Sequence, residues 1–458
     1  MVTFLDVMEK ALTGRPCSER DYTLKTFAVR LREIVKEYDI KYDSSSPVSS
    51  DDSLADDIFK AAFDFFVEVG AYCRDTERII KFEESEIKEG LRTAPARVVL
   101  GEGKDARALI PRKPEDKTPP WCFLGAGGGP VSTEEVFVSL LEGYASIPEV
   151  NSITTPALTS VSGLRIRPKS PLEALGAIRN AVLAREATRR VGRPGLPLMN
   201  TLATAESATS LAIALHPKYG LRTTDGYMIA IMDPMIVDFD RLNKVCAVLS
   251  FDAPVGACFD PLMGGYSGGP EGTAVANVAH HFLAALAYQA SWHLPFPLHI
   301  KHVCSSTPEL LWIISTSGQA ISRNTRLLSL NLNYTAAGPL TEMCLYETAA
   351  SVMAAVVSGL SIEALGVATN KYEDRMTPME PKFSAEVANA VTGIKRNDAN
   401  EIVKGLLAKY MDRIADPPLG QKYQECFDIA RGRPSDKYAE LYNKVKKELD
   451  DMGVKFQH

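Results

Sequence analysis

Two short stretches hold the residue types from which active sites are commonly built. "HIKH" (299–302) brings two imidazoles and an amine within four residues. Read as a strand, it sends His299 and His302 to opposite faces, so they cannot share one ion without distortion. His299 and Lys301 then share a face suited to a carboxylate or phosphate. "GGYSGG" (264–269) precedes a helical pattern, where free amides and the helix dipole favour an anion. It matches neither a P-loop nor a dinucleotide fingerprint, and a plain flexible turn is the other reading. "FLGAGGGP" (123–130) is equally open. Glu342 and Glu347, near the start of a helix, read either as catalytic acids or as acids that stabilise the helix N-terminus. His280 and His281 read as helix packing or surface, and no metal is expected.

The elements that must position these residues begin at Pro120, where short apolar runs alternate with amphipathic helices. The runs are "WCFLGAG", "SITTPALTS", "LPLMN", "GYMIAIM", "APVGACFD", "LHIKHV", "LLSLNLNY" and "EALGVATN". Eight parallel strands with intervening helices predict a closed (β/α)8 TIM barrel over 116–395. An N-terminal helical and hairpin extension (1–115) and a helical C-terminal extension (396–458) flank it. "VVLGEGKDARALI" reads as the hairpin, and Asp51–Ser53 as the cap of a helix whose buried face holds Phe59, Ala62, Phe66, Val69 and Cys73. Barrel active sites lie at the C-terminal strand ends. Here those ends are apolar: Met199 closes the third strand, Met228 lies in the fourth, Cys258 nears the end of the fifth, and Leu332 and Tyr334 share one face of the seventh. Each alone reads as core; together they describe an apolar, thioether-lined site. A buried, inert thiol is the default reading of Cys258.

A net charge of −6 over 458 residues, without a Lys/Arg-rich run, excludes a nucleic-acid footprint. No apolar run approaches the ~18 residues of a membrane span, and the N-terminus lacks a signal-like segment, so a soluble cytoplasmic protein is expected. The eight cysteines are scattered singly, which fits thiols in a reducing compartment.

"VVLGEG", "KSPLEALGA", "GRPG", "GGYSGG", "ASWHL", "AAGPLTEMCLYE" and "YQECFD", in this order along nearly the whole chain, resemble the monomethylamine methyltransferase family of methanogens. The resemblance implies a (β/α)8 barrel, a homohexamer, and transfer of a methyl group to the Co(I) corrinoid of a separate corrinoid protein docked at the barrel mouth. In that family the residue four positions after "GRPG" is pyrrolysine; here it is Met199, so no pyrrolysine is expected. By ungapped counting, two family glutamates fall at Met228 and Cys258 and a glutamine at Leu332, while the family tyrosine remains as Tyr334. The resemblance thus makes Met199 and Tyr334 the catalytic places, with Met228, Cys258 and Leu332 lining the pocket.

A primary amine leaves poorly, and the imine and acids that would activate it are replaced here. The departure therefore predicts a corrinoid-dependent methyltransferase for a small donor other than methylamine: a quaternary ammonium or sulfonium, which Tyr334 can hold by cation–π contact, or a thioether or methyl ether whose leaving group its hydroxyl assists. Two readings compete: a non-catalytic homologue that still docks a corrinoid protein, and an unrelated barrel enzyme handling an anionic substrate with Lys301, His299 and "GGYSGG".

Overall fold

The apolar runs become parallel strands because both of their faces are buried, one against helices and one in the barrel interior. The computed structural model describes residues 2–200, 205–367 and 371–456. Its central strands are β1 (Cys122–Gly125), β2 (Ser152–Thr154), β3 (Leu198–Asn200), β4 (Tyr227–Ile231), β5 (Val255–Phe259), β6 (Trp292–Pro295), β7 (Leu330–Thr335) and β8 (Ser361–Val367). A helix follows each: α1 (Glu134–Ala145), α2 (Pro171–Arg190), α3 (Ala208–Ala214), α4 (Phe239–Ser250), α5 (Pro270–Ala287), α6 (Pro308–Asn324), α7 (Glu342–Val357) and α8 (Met379–Ala390). Parallel pairing joins β3-β2-β1-β8-β7 in one sheet and β4-β5-β6 in another. The seams are bridged where the Gly226 amide donates to the Leu198 carbonyl (3.1 Å) and the His293 amide to that of Leu328 (2.7 Å). The strand order therefore runs round a ring, as a (β/α)8 barrel requires.

The sixth strand is not where the sequence suggested. It is "WHLP", and "LHIKHV" lies beyond it. Leu298–His299 pairs briefly with Leu262–Met263, then the chain turns back as the His299 amide donates to the Cys304 carbonyl (3.0 Å). A four-residue run containing His and Pro is a weak strand signal, but alternation rescues it: Trp292 and Leu294 fill the interior while His293 faces α5, its ring 5.4 Å from that of His281. Gly256 of β5 is required beside it, because a Cβ there would lie 2.1 Å from Cζ2 of Trp292. The eighth run starts two residues earlier than expected, at Ser361, and its end, 368–370, lies outside the described residues.

Asp51 caps the helix Asp52–Val69 by accepting from the Leu54 amide (3.0 Å), and this helix lies across α5 and α6. Phe66 and Val69 are buried as their spacing predicts. Cys73 is also buried, but beyond the helix, in a strand (Ala71–Cys73) of a small sheet completed by Ile236–Val237 after β4. The hairpin forms as Val98–Leu100 against Arg107–Leu109. Its Gly101 amide donates to the Thr224 carbonyl (2.8 Å) and its Glu102 amide to that of Gly195 (2.9 Å), just before β4 and β3. These bonds hold it against the N-terminal end of the barrel, where Leu100 and Leu109 join the interior cluster. Among the described residues no helix is long and apolar enough to cross a membrane.

Candidate functional site

The entry to β3 is fixed from below. Arg185 of α2, fully buried, donates to both carboxylate oxygens of Asp225 (3.0 and 2.7 Å) and to the carbonyls of Leu196 (2.9 Å) and Gly220 (3.0 Å). Asp225 in turn accepts from the amides of Leu198 and Arg222, each at 2.9 Å. Burial pushes the Asp225 carboxyl up and the guanidinium opposes it. One bidentate pair thus ties α2, the start of β3 and the approach to β4, and sets where Met199 enters the barrel.

All five residues singled out from the sequence converge in the interior. Met199 and Leu332 are buried, Met228, Cys258 and Tyr334 half-buried, and all pack in one cluster with Phe123, Trp292, Leu294, Leu330 and Phe296. Tyr334 is held by its backbone: its amide donates to Ser305 Oγ (2.8 Å) and its carbonyl accepts from the Ser305 amide (2.8 Å). Its ring meets Phe296 edge-on at 5.2 Å, and burial pushes its hydroxyl up to about 12. The Cys258 thiol is driven well above the ordinary range by burial, with Glu363 and Asp260 adding to the effect. It is therefore a protonated thiol at neutral pH and a poor nucleophile.

The polar candidates lie elsewhere. "HIKH" leaves its short strand at His299 and turns, so the alternation argument fails: the two imidazole centroids are 4.4 Å apart and His299 Nδ1 accepts from the Lys301 (3.0 Å) and His302 (3.3 Å) amides. Among the described residues no third ligand completes a metal cluster. In "GGYSGG" the amides of Gly264, Gly265 and Gly268 donate to the carbonyls of Gly268, Leu262 and Gly265, which leaves fewer donors for an anion. His280 and His281 are core residues on the helix side of the sheet, against Phe259. Glu342 is partly exposed and pairs with Lys444. Glu347 is buried in α7, where it accepts from the amides of Ala336 (2.7 Å) and Ala337 (2.9 Å) and from Ser306 Oγ (2.5 Å). It anchors the loop leaving β7, one step removed from Tyr334.

One interior residue escaped the sequence reading. Glu363 of β8 is in register with Phe123 of β1 and Leu332 of β7. Residues in register on parallel neighbours face the same way, and both partners belong to the interior cluster, so Glu363 points into the barrel. Its side chain is fully buried and neither carboxylate oxygen has a hydrogen-bond partner. Burial alone raises its carboxyl well above the usual range. The signal was present: an acid inside "LSIEALGV", a run apolar enough to be a doubly buried parallel strand, has no solvent to reach.

With this geometry, the comparisons with known proteins have a structural counterpart. The family described as monomethylamine methyltransferase MtmB matches residues 2–454. The chain is 32% identical over 453 residues to monomethylamine methyltransferase MtmB1 of Methanosarcina barkeri, with 98% of each covered. It is 33% identical over 458 residues to MtmB2 of Methanosarcina acetivorans, with the same coverage. The crystal structure of the Methanosarcina barkeri enzyme superposes with a TM-score of 0.96 at 32% identity, covering 99% of both chains, and the structure of a hydroxylamine MtmB complex does so with the same values.

Proposed function

This chain belongs to the monomethylamine methyltransferase family, and we propose that within it the chain moves a methyl group from a donor other than methylamine to the Co(I) corrinoid of a partner protein. One observation carries the reading: Met199, Met228, Cys258 and Leu332, the places where the resemblance puts polar family residues, meet in a single cluster with Tyr334. The exchange of polar for apolar groups is a change of one pocket, not scattered drift.

The corrinoid supplies an electron pair from Co(I) to the methyl carbon. The interior fits the donor rather than the macrocycle. Its described lining is mostly hydrocarbon, aromatic and thioether, joined by the Cys258 thiol, the Tyr334 hydroxyl and the Glu363 carboxyl, and His280, His281 and His293 lie on the far side of the sheet. Under this proposal the corrinoid would be carried by the partner protein, and the residues here orient the donor. Packing by Met199, Met228 and Leu332 excludes water and fixes the methyl group's direction, which is the main contribution left to the protein when the nucleophile is already strong. Tyr334 presents a ring face to a cation and a hydroxyl that burial keeps protonated. Such a pocket suits a donor whose leaving group departs neutral, because the bond to nitrogen or sulfur breaks with its electron pair and no proton is needed.

The test is the rate at which Co(I) absorbance of a corrinoid protein is lost with donor present, in wild type and in Tyr334→Phe and Met199→Glu. Both variants lower turnover of the donor under this proposal. Turnover unchanged in both overturns the assignment of the pocket.

A further inference from the structure

We infer that Glu363 is the counter-charge of the methyl donor, and that the donor is a small onium ion, a quaternary ammonium or a sulfonium, seated in the barrel interior. The inference rests on the proposed methyl transfer and narrows its substrate class.

The observation is a contrast in how this fold treats buried acids. Asp105, Glu173, Asp225, Glu347, Asp374 and Glu380 are all buried, and each accepts at least one hydrogen bond from an arginine, a hydroxyl, a side-chain amide or a backbone amide. Glu363 is as deeply buried and accepts none. A buried carboxyl without a partner costs several times what a satisfied one does, and folds retain one where a ligand supplies the partner. Its position agrees: its register partners Phe123 and Leu332 belong to the cluster that holds Met199 and Tyr334.

The surroundings select the kind of cation. A methylammonium ion carries three N–H donors and needs an acceptor for each. Among the described residues of the interior cluster and Glu363, the acceptors are the two carboxylate oxygens and the Tyr334 hydroxyl, Trp292 Nε1 is itself a donor, and most of the remaining lining is apolar surface that suits methyl groups better than N–H groups. An onium ion has no N–H or S–H. Its charge is spread over methyl groups that pack against thioether and aromatic surface, and the Glu363 carboxyl, which gives up its proton to solvent as the cation arrives, balances it together with the Tyr334 ring. When the methyl group leaves, the C–N or C–S bond breaks and its electron pair stays on nitrogen or sulfur, while a partner protein's Co(I) corrinoid would supply the pair for the new bond to the methyl carbon. The product is neutral and is no longer held by Glu363, so the same group that binds the donor favours release.

The test is isothermal titration of the whole protein with tetramethylammonium chloride and trimethylsulfonium, and with uncharged tert-butanol of similar shape, in wild type and Glu363→Gln. Thermal unfolding checks that the variant folds. The expected result is cation binding that weakens by about 30-fold or more in Glu363→Gln, the loss typical of removing one member of a buried charge pair, with no change for tert-butanol. Equal cation affinity in both proteins overturns the inference, and so does a wild type that binds neither cation, whatever donor it turns over. Failure of the underlying reading looks different: cations bind and Glu363→Gln loses them, yet no donor methylates Co(I). That outcome keeps Glu363 as a cation site and removes methyl transfer.

Discussion

The two sides of the barrel sheet treat buried charge in opposite ways. On the helix side, Arg185 and Asp225 form a closed pair, and Glu347 is met by three donors that pin the loop after β7. On the inner side, Glu363 has none. Both environments are dry and both residues are acids, so burial does not explain the difference. The helix-side acids are met by partners when the chain folds, whereas Glu363 is not, and we assign its partner to the donor.

The comparison is broken most forcefully at the helix side. Arg185→Met leaves Asp225 buried without its cation and costs about 3–5 kcal/mol of stability, measured by denaturant unfolding. A loss within experimental error would mean that this pair does not organise β3. A sharper test applies the same substitution to both glutamates. Glu347→Leu strips three donors of their acceptor and destabilises by about 2 kcal/mol or more, while Glu363→Leu removes an unpaired carboxyl and is neutral or stabilising by about 1–2 kcal/mol. Equal losses from both would erase the contrast.

The smallest expected effect is in pH. Burial pushes Glu347 up to about 7 from an ordinary 4.5, with its three donors working against the rise. A carboxyl raised in the native state takes up a proton on folding, so its contribution to stability is full below about 4.5 and is lost as pH rises through about 7. Glu380, pushed up to about 7 by the same cause, adds a parallel slope. Unfolding free energies fall between about pH 5 and 7.5, and Glu347→Gln flattens the curve. A stability that rises over this window contradicts the assignment.

Much of this was legible in the sequence, for identifiable reasons. Seven of the barrel strands announced themselves as continuous apolar runs because a parallel strand is buried on both faces. The sixth hid because "WHLP" splits its faces between indole and imidazole, and the more hydrophobic "LHI" next to it took its place. The proposed site was legible as a set of positions, since period-two alternation and the family motifs pointed to Met199, Met228, Cys258, Leu332 and Tyr334, which share one interior cluster. Glu363 was not legible by that route: it lies on a different strand, and only the register of β8 against β1 and β7 shows which face it takes. The partners of Glu347 were equally hidden, because a helix N-terminal acid and a loop anchor look alike until the loop is placed.

The central claim is that this barrel has exchanged its family's amine chemistry for a donor that carries its own activation. It is tested most directly by mixing the protein with a Co(I) corrinoid protein, itself verified with another methyltransferase, and following loss of Co(I) absorbance with tetramethylammonium, trimethylsulfonium, a methyl thioether, a methyl ether and methylamine in turn. The account predicts methylation with an onium donor and none above background with methylamine. Methylation by methylamine alone would contradict it.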